Sequence, residues 1–164
     1  MVSARIFNGA KGFTLMEMLV VVAIIGILAA FVMPSSSGKI IKIYISEDLQ
    51  LVEPYTQVIA NYYSLNGTFP SDNKEAGIPE PELITGNYLD SVELKDGALH
   101  LVLGQKIGDQ WKGKIVTLRP VYVPKSPGSP ISWICGYDDI PEKMKSPAEN
   151  KTDVERTDLP LKCL

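Results

Sequence analysis

The sequence predicts an α+β fold: a long N-terminal α-helix packed on a four-stranded antiparallel sheet. Three features predict it. Residues 13–33 form one apolar run broken only by Glu17, helical spacing returns between Leu51 and Tyr62, and an Asp96-Gly97 turn sits between two alternating segments. The chain has 164 residues, enough for one domain with a modest core. A formal charge of −3 argues against wholesale duplex binding, which needs a cationic surface. The single histidine, His100, excludes a multi-histidine metal site, and two cysteines exclude a four-cysteine zinc or iron–sulfur site. No nucleophile–base pair accompanies them, so the sequence does not read as an enzyme and no cofactor or metal is expected.

The apolar run reads FTLMEMLVVVAIIGILAAFVM. As a helix it spans about 30 Å, the thickness of a bilayer's hydrocarbon core. Ahead of it, residues 1–12 carry Arg5 and Lys11 and no acid, a balance that holds this end in the cytoplasm. Two plain readings are open: a secretory signal cut after Leu28-Ala29-Ala30, and a simple membrane anchor. Neither has a use for Glu17, a carboxylate placed where hydrocarbon makes it costly.

Lys11-Gly12-Phe13-Thr14-Leu15-Met16-Glu17, with the apolar stretch that follows to Ala30, resembles the prepilin signal of type IV pilins and their pseudopilin relatives. Pro34 falls where type IVa pilins usually carry a proline. The resemblance implies that a prepilin peptidase cuts between Gly12 and Phe13 and methylates the new Phe13 amino group. Residues 1–12 are then a cleaved leader, 13–38 the transmembrane and filament-core helix, and 39–164 the globular head. Cutting removes two cations and no acid, so the formal charge moves from −3 to −5. The resemblance further implies that Glu17 pairs with the Phe13 ammonium of a neighbouring subunit. The alternative is that Glu17 partners the N-terminus of its own helix. Gly26 and Pro34, with Ser35–Gly38, permit a helix break or stretch.

Leu51, Val52, Tyr55, Val58, Ile59 and Tyr62 fall three and four apart and predict one buried helical face, with the tyrosines as core packing. Pro54 should kink this helix, and Gly67 suits a left-handed cap at its end. An ordered loop follows to about Asn87, with a short helical turn near Glu82–Thr85. Lys95-Asp96-Gly97-Ala98 predicts a two-residue type I′ hairpin. Its register sets Leu94 opposite Leu99, Val92 opposite Leu101, and Glu93 opposite His100 on the other, solvent-facing side. Further strands are expected at Ile115–Val123 and Ile131–Cys135.

Ile131–Gly136 and Leu159–Cys163 resemble the two ends of the disulfide-bounded D-region of type IVa pilins. In an exported chain, Cys135 and Cys163 read as one bridge. It closes a loop of about 29 residues, worth on the order of 3–4 kcal/mol in the chain-entropy picture. The enclosed segment has few apolar residues and is expected to lack a core of its own. Asp138-Asp139 supplies too few ligands for calcium.

The resemblance therefore implies a structural subunit of a type IV pilus, an inner-membrane precursor that becomes an extracellular fibre for adhesion, twitching motility and DNA uptake. Its implied partners are copies of itself and other pilins, the prepilin peptidase, the inner membrane, and an assembly platform with motor ATPases. DNA contact is the weakest of these expectations: Lys143, Lys145, Lys151 and Lys162 are interleaved with Glu142, Glu149, Asp153, Glu155 and Asp158. Two alternatives stay open, a minor pilin that presents its D-region and a secretion pseudopilin; the cysteine pair weighs against the second.

Overall fold

A computed structural model describes residues 12–32, 37–126 and 128–164. The chain divides into two compact units, Met1–Ser36 and Ser37–Leu164.

The first unit contains helix α1, Leu15–Val32. In the single chain it passes through Gly26 without interruption. A glycine inside a helix costs only about 1 kcal/mol, and the Ile and Leu residues on both sides sustain the turn. Pro34, the other expected break, lies outside the described residues, as do Arg5 and Lys11 of the leader. Among the described residues no helix is long and apolar enough to cross a membrane. α1 has 18 residues, about 27 Å of helix. Phe13 and Thr14, counted in the expected span, precede it.

The second unit begins with α2, Ser37–Leu51, and α3, Glu53–Asn66. The predicted kink at Pro54 is instead a helix junction. Val52 caps α3, and Pro54 sits in the first turn, where its missing N–H is no loss. Gly67 ends α3 in the left-handed region (φ 73°), as expected. The buried stripe is Ile41, Ile45, Leu49, Val52, Ile59 and Tyr63. Leu51 and Val58, assigned to the core from sequence, are exposed, and Tyr62 points to the loop, where its hydroxyl donates to Glu75. The buried positions run 41, 45, 49, 52, 56, 59 and 63, one unbroken helical period that includes the polar Thr56, so a stripe read from apolar residues alone drifts to Val58 and Tyr62.

The loop after α3 is ordered by polar staples. Asp72 caps the short helix α4, Asn73–Ala76. Buried Asn73 donates to the carbonyls of Pro79 and Val92 and accepts from the N–H of Leu94. A 3-10 turn occupies Pro81–Leu83, close to where a helical turn was expected.

Four antiparallel strands follow in chain order, β1 Leu89–Lys95, β2 Ala98–Leu103, β3 Ile115–Val121 and β4 Ser132–Cys135. The β1–β2 register matches the sequence reading pair for pair, with Leu94 opposite Leu99 and Glu93 opposite His100. Asp96 and Gly97 have φ of 49° and 86°, the two positive angles a type I′ turn requires. The solvent exposure expected of His100 is wrong. Its side chain is 2% exposed because a later part of the chain covers that face.

That later part is the segment after Cys135. It is not coreless: Val154 and Leu159 are completely buried in the same cluster as Leu101 and Val116. Thr152, Val154 and Leu159 are buried in this segment, so the bridge adds to packing rather than replacing it. Leu159→Ala, with both cysteines intact, should therefore cost about 2–5 kcal/mol, as for any core leucine. Urea unfolding measures it. A loss under about 0.5 kcal/mol, the range of surface substitutions, would mean the segment is held by the disulfide alone.

Candidate functional site

The N-terminal motif is built around Thr14 and Glu17. Thr14 precedes the first helical residue, and Glu17 lies three positions on, the spacing of a capping box. The Thr14 N–H donates to Glu17 Oε2 at 2.8 Å and the Thr14 hydroxyl donates to the same oxygen at 3.0 Å. In return the Glu17 N–H donates to Thr14 Oγ1 at 3.2 Å. The carboxylate thus satisfies helix-end donors that would otherwise be unpaired. In the uncut single chain the partner of the Glu17 carboxylate is Thr14, a third arrangement beside the two amino-group partners considered for it. Thr14 has a role the sequence reading missed, although Thr-x-x-Glu directly before an apolar run is its signal. Gly12 and Phe13, the expected cleavage pair, are exposed immediately ahead of this cap.

Beyond the cap, α1 is apolar on every side. Its large hydrophobic side chains are exposed from 45% at Met18 and Val21 to 78% at Leu15. Scattered exposed hydrophobes are normal in a soluble protein, but a continuous apolar cylinder marks a surface meant for lipid or for other protein.

In the head, Cys135 and Cys163 are bonded to each other, with Cα atoms 4.3 Å apart. Gly136 follows with φ 57°, and a Cβ there would lie 2.6 Å from the Cys163 carbonyl oxygen, so no other residue fits the closure. β4 is only four residues long, and its pairing covers β3 from Leu118 to Val121. The segment Lys151–Asp153 serves the rest of that edge. Thr117 N–H donates to Thr152 Oγ1, Ile115 N–H donates to the Asp153 carboxylate, and Asp153 N–H donates to the Ile115 carbonyl. Tyr137 OH and Trp111 Nε1 pin the same loop through the Thr152 carbonyl and the Asp158 carboxylate. Arg119 reaches the carbonyls of Gly136 and Asp138.

Two of the buried titratable groups in the head, His100 and Asp48, are strongly shifted. His100 Nδ1 lies 3.0 Å from Thr117 Oγ1, which also accepts the Lys151 N–H. Burial, then the Lys151 ammonium, push the imidazole down to about 4. Asp48 on α2 is 1% exposed, and its Oδ2 has no hydrogen-bond partner. Burial, then the neighbouring Glu47, push this carboxyl up to about 7.

The motif at one end and the bridged loop at the other lie in different units. Among the described residues, no group of three or more His, Cys, Asp or Glu side chains is placed to hold a metal ion.

Comparison with known proteins agrees with both ends. The profile for the prokaryotic N-terminal methylation motif matches residues 7–33, and the profile for Pilin (bacterial filament) matches residues 44–163. A fimbrial protein of Neisseria meningitidis serogroup A is 34% identical over 146 residues, covering 88% of this chain and 82% of its own. A type IV major pilin protein of Neisseria gonorrhoeae is 31% identical over 157 residues, covering 93% of each chain. A fimbrial protein of Eikenella corrodens is 40% identical over 145 residues, covering 85% of this chain and 91% of its own.

The two buried groups act on stability in opposite directions. The unfolded His100 takes up its proton near 6.5 and the folded one only near 4, so its contribution is complete above 6.5 and is lost as pH falls toward 4. The unfolded Asp48 releases its proton near 3.8 and the folded one near 7, so its contribution is present below 3.8 and is lost as pH rises toward 7. Asp48→Asn removes the second slope. The variant head should gain on the parent steadily between pH 4 and pH 7, read as the difference of urea midpoints. Parallel pH profiles for the two proteins would show that the Asp48 carboxyl is not perturbed.

Proposed function

The chain belongs to the pilin family of bacterial filament proteins, and on that premise we propose that it is made as an inner-membrane prepilin and assembles into an extracellular type IV pilus. Residues 1–12 are removed by a prepilin peptidase, which methylates the new Phe13 amino group. Residues 13–38 hold the precursor in the membrane and then pack with copies of themselves in the fibre core. The heads face outward and serve adhesion, twitching motility and DNA uptake. Extension and retraction are driven by separate motor ATPases at an assembly platform.

The observation that carries this reading is the apolar cylinder of α1, capped at one end and uncovered on all sides. Lipid covers it before assembly and like helices cover it afterwards. Moving between the two changes apolar burial little, so polar contacts decide the register. Glu17 supplies that contact. In the single chain its carboxylate is held by Thr14 of the same helix. In the fibre it meets the Phe13 ammonium of a neighbour, a charge that does not exist until the leader is cut. Gly26 and Pro34 give this helix the capacity to stretch as it packs. The relatives described as fimbrial and major pilin proteins favour a principal subunit over a minor one.

Processing has a direct readout. The intact mass of sheared fibre protein should correspond to a chain beginning at methylated Phe13 and retaining one disulfide. A chain beginning near Phe31 would overturn the proposal.

Glu17→Val separates assembly from folding. The variant precursor should insert and keep a folded, oxidised head, because the substitution lies outside the Ser37–Leu164 unit. Its fibres should fall several-fold in number by electron microscopy. Normal fibre numbers from the variant alone would show that the Glu17–Phe13 pair does not set the register.

A further inference from the structure

Two clefts adjoin on the head where four distant segments meet. The first, about 320 Å³, is lined by Tyr63, Thr68, Phe69, Asp96, Tyr122 and Pro147. The second, about 250 Å³, continues from the shared residues Asp96 and Pro147 to Lys95, His100, Glu149 and Lys151. The sequence reading named Lys95, Asp96, His100, Glu149 and Lys151 for other reasons but did not bring them together as a cleft.

The walls are fixed before any ligand arrives. Phe69 stacks on Tyr63 with ring centres 4.3 Å apart, and Tyr122 tilts against both at 5.3 and 5.5 Å. Phe69 also lies against the hairpin turn: a Cβ on Gly97 would be 2.8 Å from its ring. The turn is tied to the same stretch, since Asp96 N–H donates to the Ser71 carbonyl and Gly97 N–H to the Pro70 carbonyl. The far wall is placed by Tyr122 and Lys145, which exchange backbone hydrogen bonds at 2.9 Å in each direction. His100 is oriented by Thr117, itself held by the Lys151 N–H.

The chemistry of the lining selects a ligand class. Half-buried aromatic rings offer apolar faces. Around them stand two ammonium groups, Lys95 and Lys151, and two carboxylates, Asp96 and Glu149. Lys151 also lies 3.7 Å from Glu93. The rim carries no excess positive charge, so a phosphate, a sulfated chain or a nucleic-acid strand gains nothing there and meets two carboxylates. Groups that both donate and accept hydrogen bonds suit a rim that offers both. Hydroxyls are such groups, and pyranose sugars combine them with an apolar C–H face.

We propose that these adjoining clefts form one binding site for a neutral saccharide of two or more rings. One ring lays its C–H face on Tyr122 and Phe69 with its hydroxyls at Asp96, and the next reaches Lys95, Glu149 and Lys151. The rigid aromatic floor and the stapled turn make this a preformed pocket with few convergent polar groups, the usual form of a small-ligand site. The site lies wholly in the Ser37–Leu164 unit and does not depend on how α1 assembles.

The test uses the full chain in detergent, oxidised, with lactose, maltose and cellobiose as probes in saturation-transfer NMR and oligothymidylate as the anionic competitor. Saturable transfer to ring C–H protons of at least one disaccharide is expected, without competition from oligothymidylate. Tyr122→Leu should weaken it about five- to tenfold, the worth of an aromatic contact. Asp96→Asn should weaken it by a similar factor while keeping the turn, because asparagine accepts positive φ. Amide spectra confirm that each variant is folded, and Asp96→Asn carries the test by itself if Tyr122→Leu is not. Transfer to none of the three sugars, transfer unchanged in the folded variants, or displacement by oligothymidylate would each overturn the proposal. None of these outcomes bears on fibre assembly, which the intact mass and fibre counts report.

Discussion

The head depends on how the open edge of β3 is completed. β3 has seven residues and β4 only four, and their pairing runs from Leu118 to Val121. Ile115–Thr117 would otherwise leave backbone groups without partners, each a real cost once buried. The chain returns about fifteen residues after β4 to supply them through Lys151–Asp153. Much else follows from that return. It covers His100, it buries Val154 and Leu159, and it brings Cys163 back beside Cys135. Gly136 is forced by the same closure, since the returning Cys163 carbonyl occupies the space of any side chain there. Pro120 fits because the β2–β3 ladder stops at Leu118, so the N–H it lacks has no partner to lose.

A head completed internally contrasts with a helix that is not. The core of the second unit runs from Ile41 to Cys163 and uses residues from every element of the sheet. The stability of α1 as a helix comes from strong apolar helix formers and from the Thr14–Glu17 cap. Each unit is thus stabilised by its own residues, the helix by its cap and the head by its core. The cap also explains why a charged residue is tolerated at the start of α1: capping gives the carboxylate hydrogen bonds in the single chain.

Much of this was legible in the sequence where local chemistry decides the structure. Asp96-Gly97 fixes a two-residue turn, and a two-residue turn fixes the register of both strands, so the pairs from Lys95 to Val92 follow without tertiary information. The cysteine pair and the Gly67 cap were legible for the same kind of reason. The misreadings lie where a distant segment decides. His100 sits on the face expected to meet solvent, and only a loop some fifty residues later buries it. Tyr62 and Tyr63 exchange roles because the buried stripe passes through Thr56, a polar residue that a pattern of apolar positions skips. The loop after Cys135 looked coreless by composition, yet a few apolar residues suffice when each is fully buried. Thr14 was readable and was missed, because attention to the membrane hides an ordinary helix cap.

The unpartnered carboxyl of Asp48 has a place in the same logic. It lies on α2 where the loop returns at Gly86, and a Cβ on that glycine would be 3.4 Å from Asp48 Oδ1. Next to it Tyr44 and Tyr88 stack with centres 3.6 Å apart, and Asn87 donates to Glu47. Two contacts thus hold the end of the loop to α2 while the buried Asp48 Oδ2 beside them has no hydrogen-bond partner. A neutral acid is tolerated in such a position far better than an anion, which is why the group titrates near neutrality. Natural chains keep an unsatisfied group when its neighbours over-determine the structure around it. Here the tyrosine stack and the Asn87–Glu47 bond do so. The strain is confined to one corner of the head, remote in sequence from both the edge closure at Thr117 and the cap at Thr14.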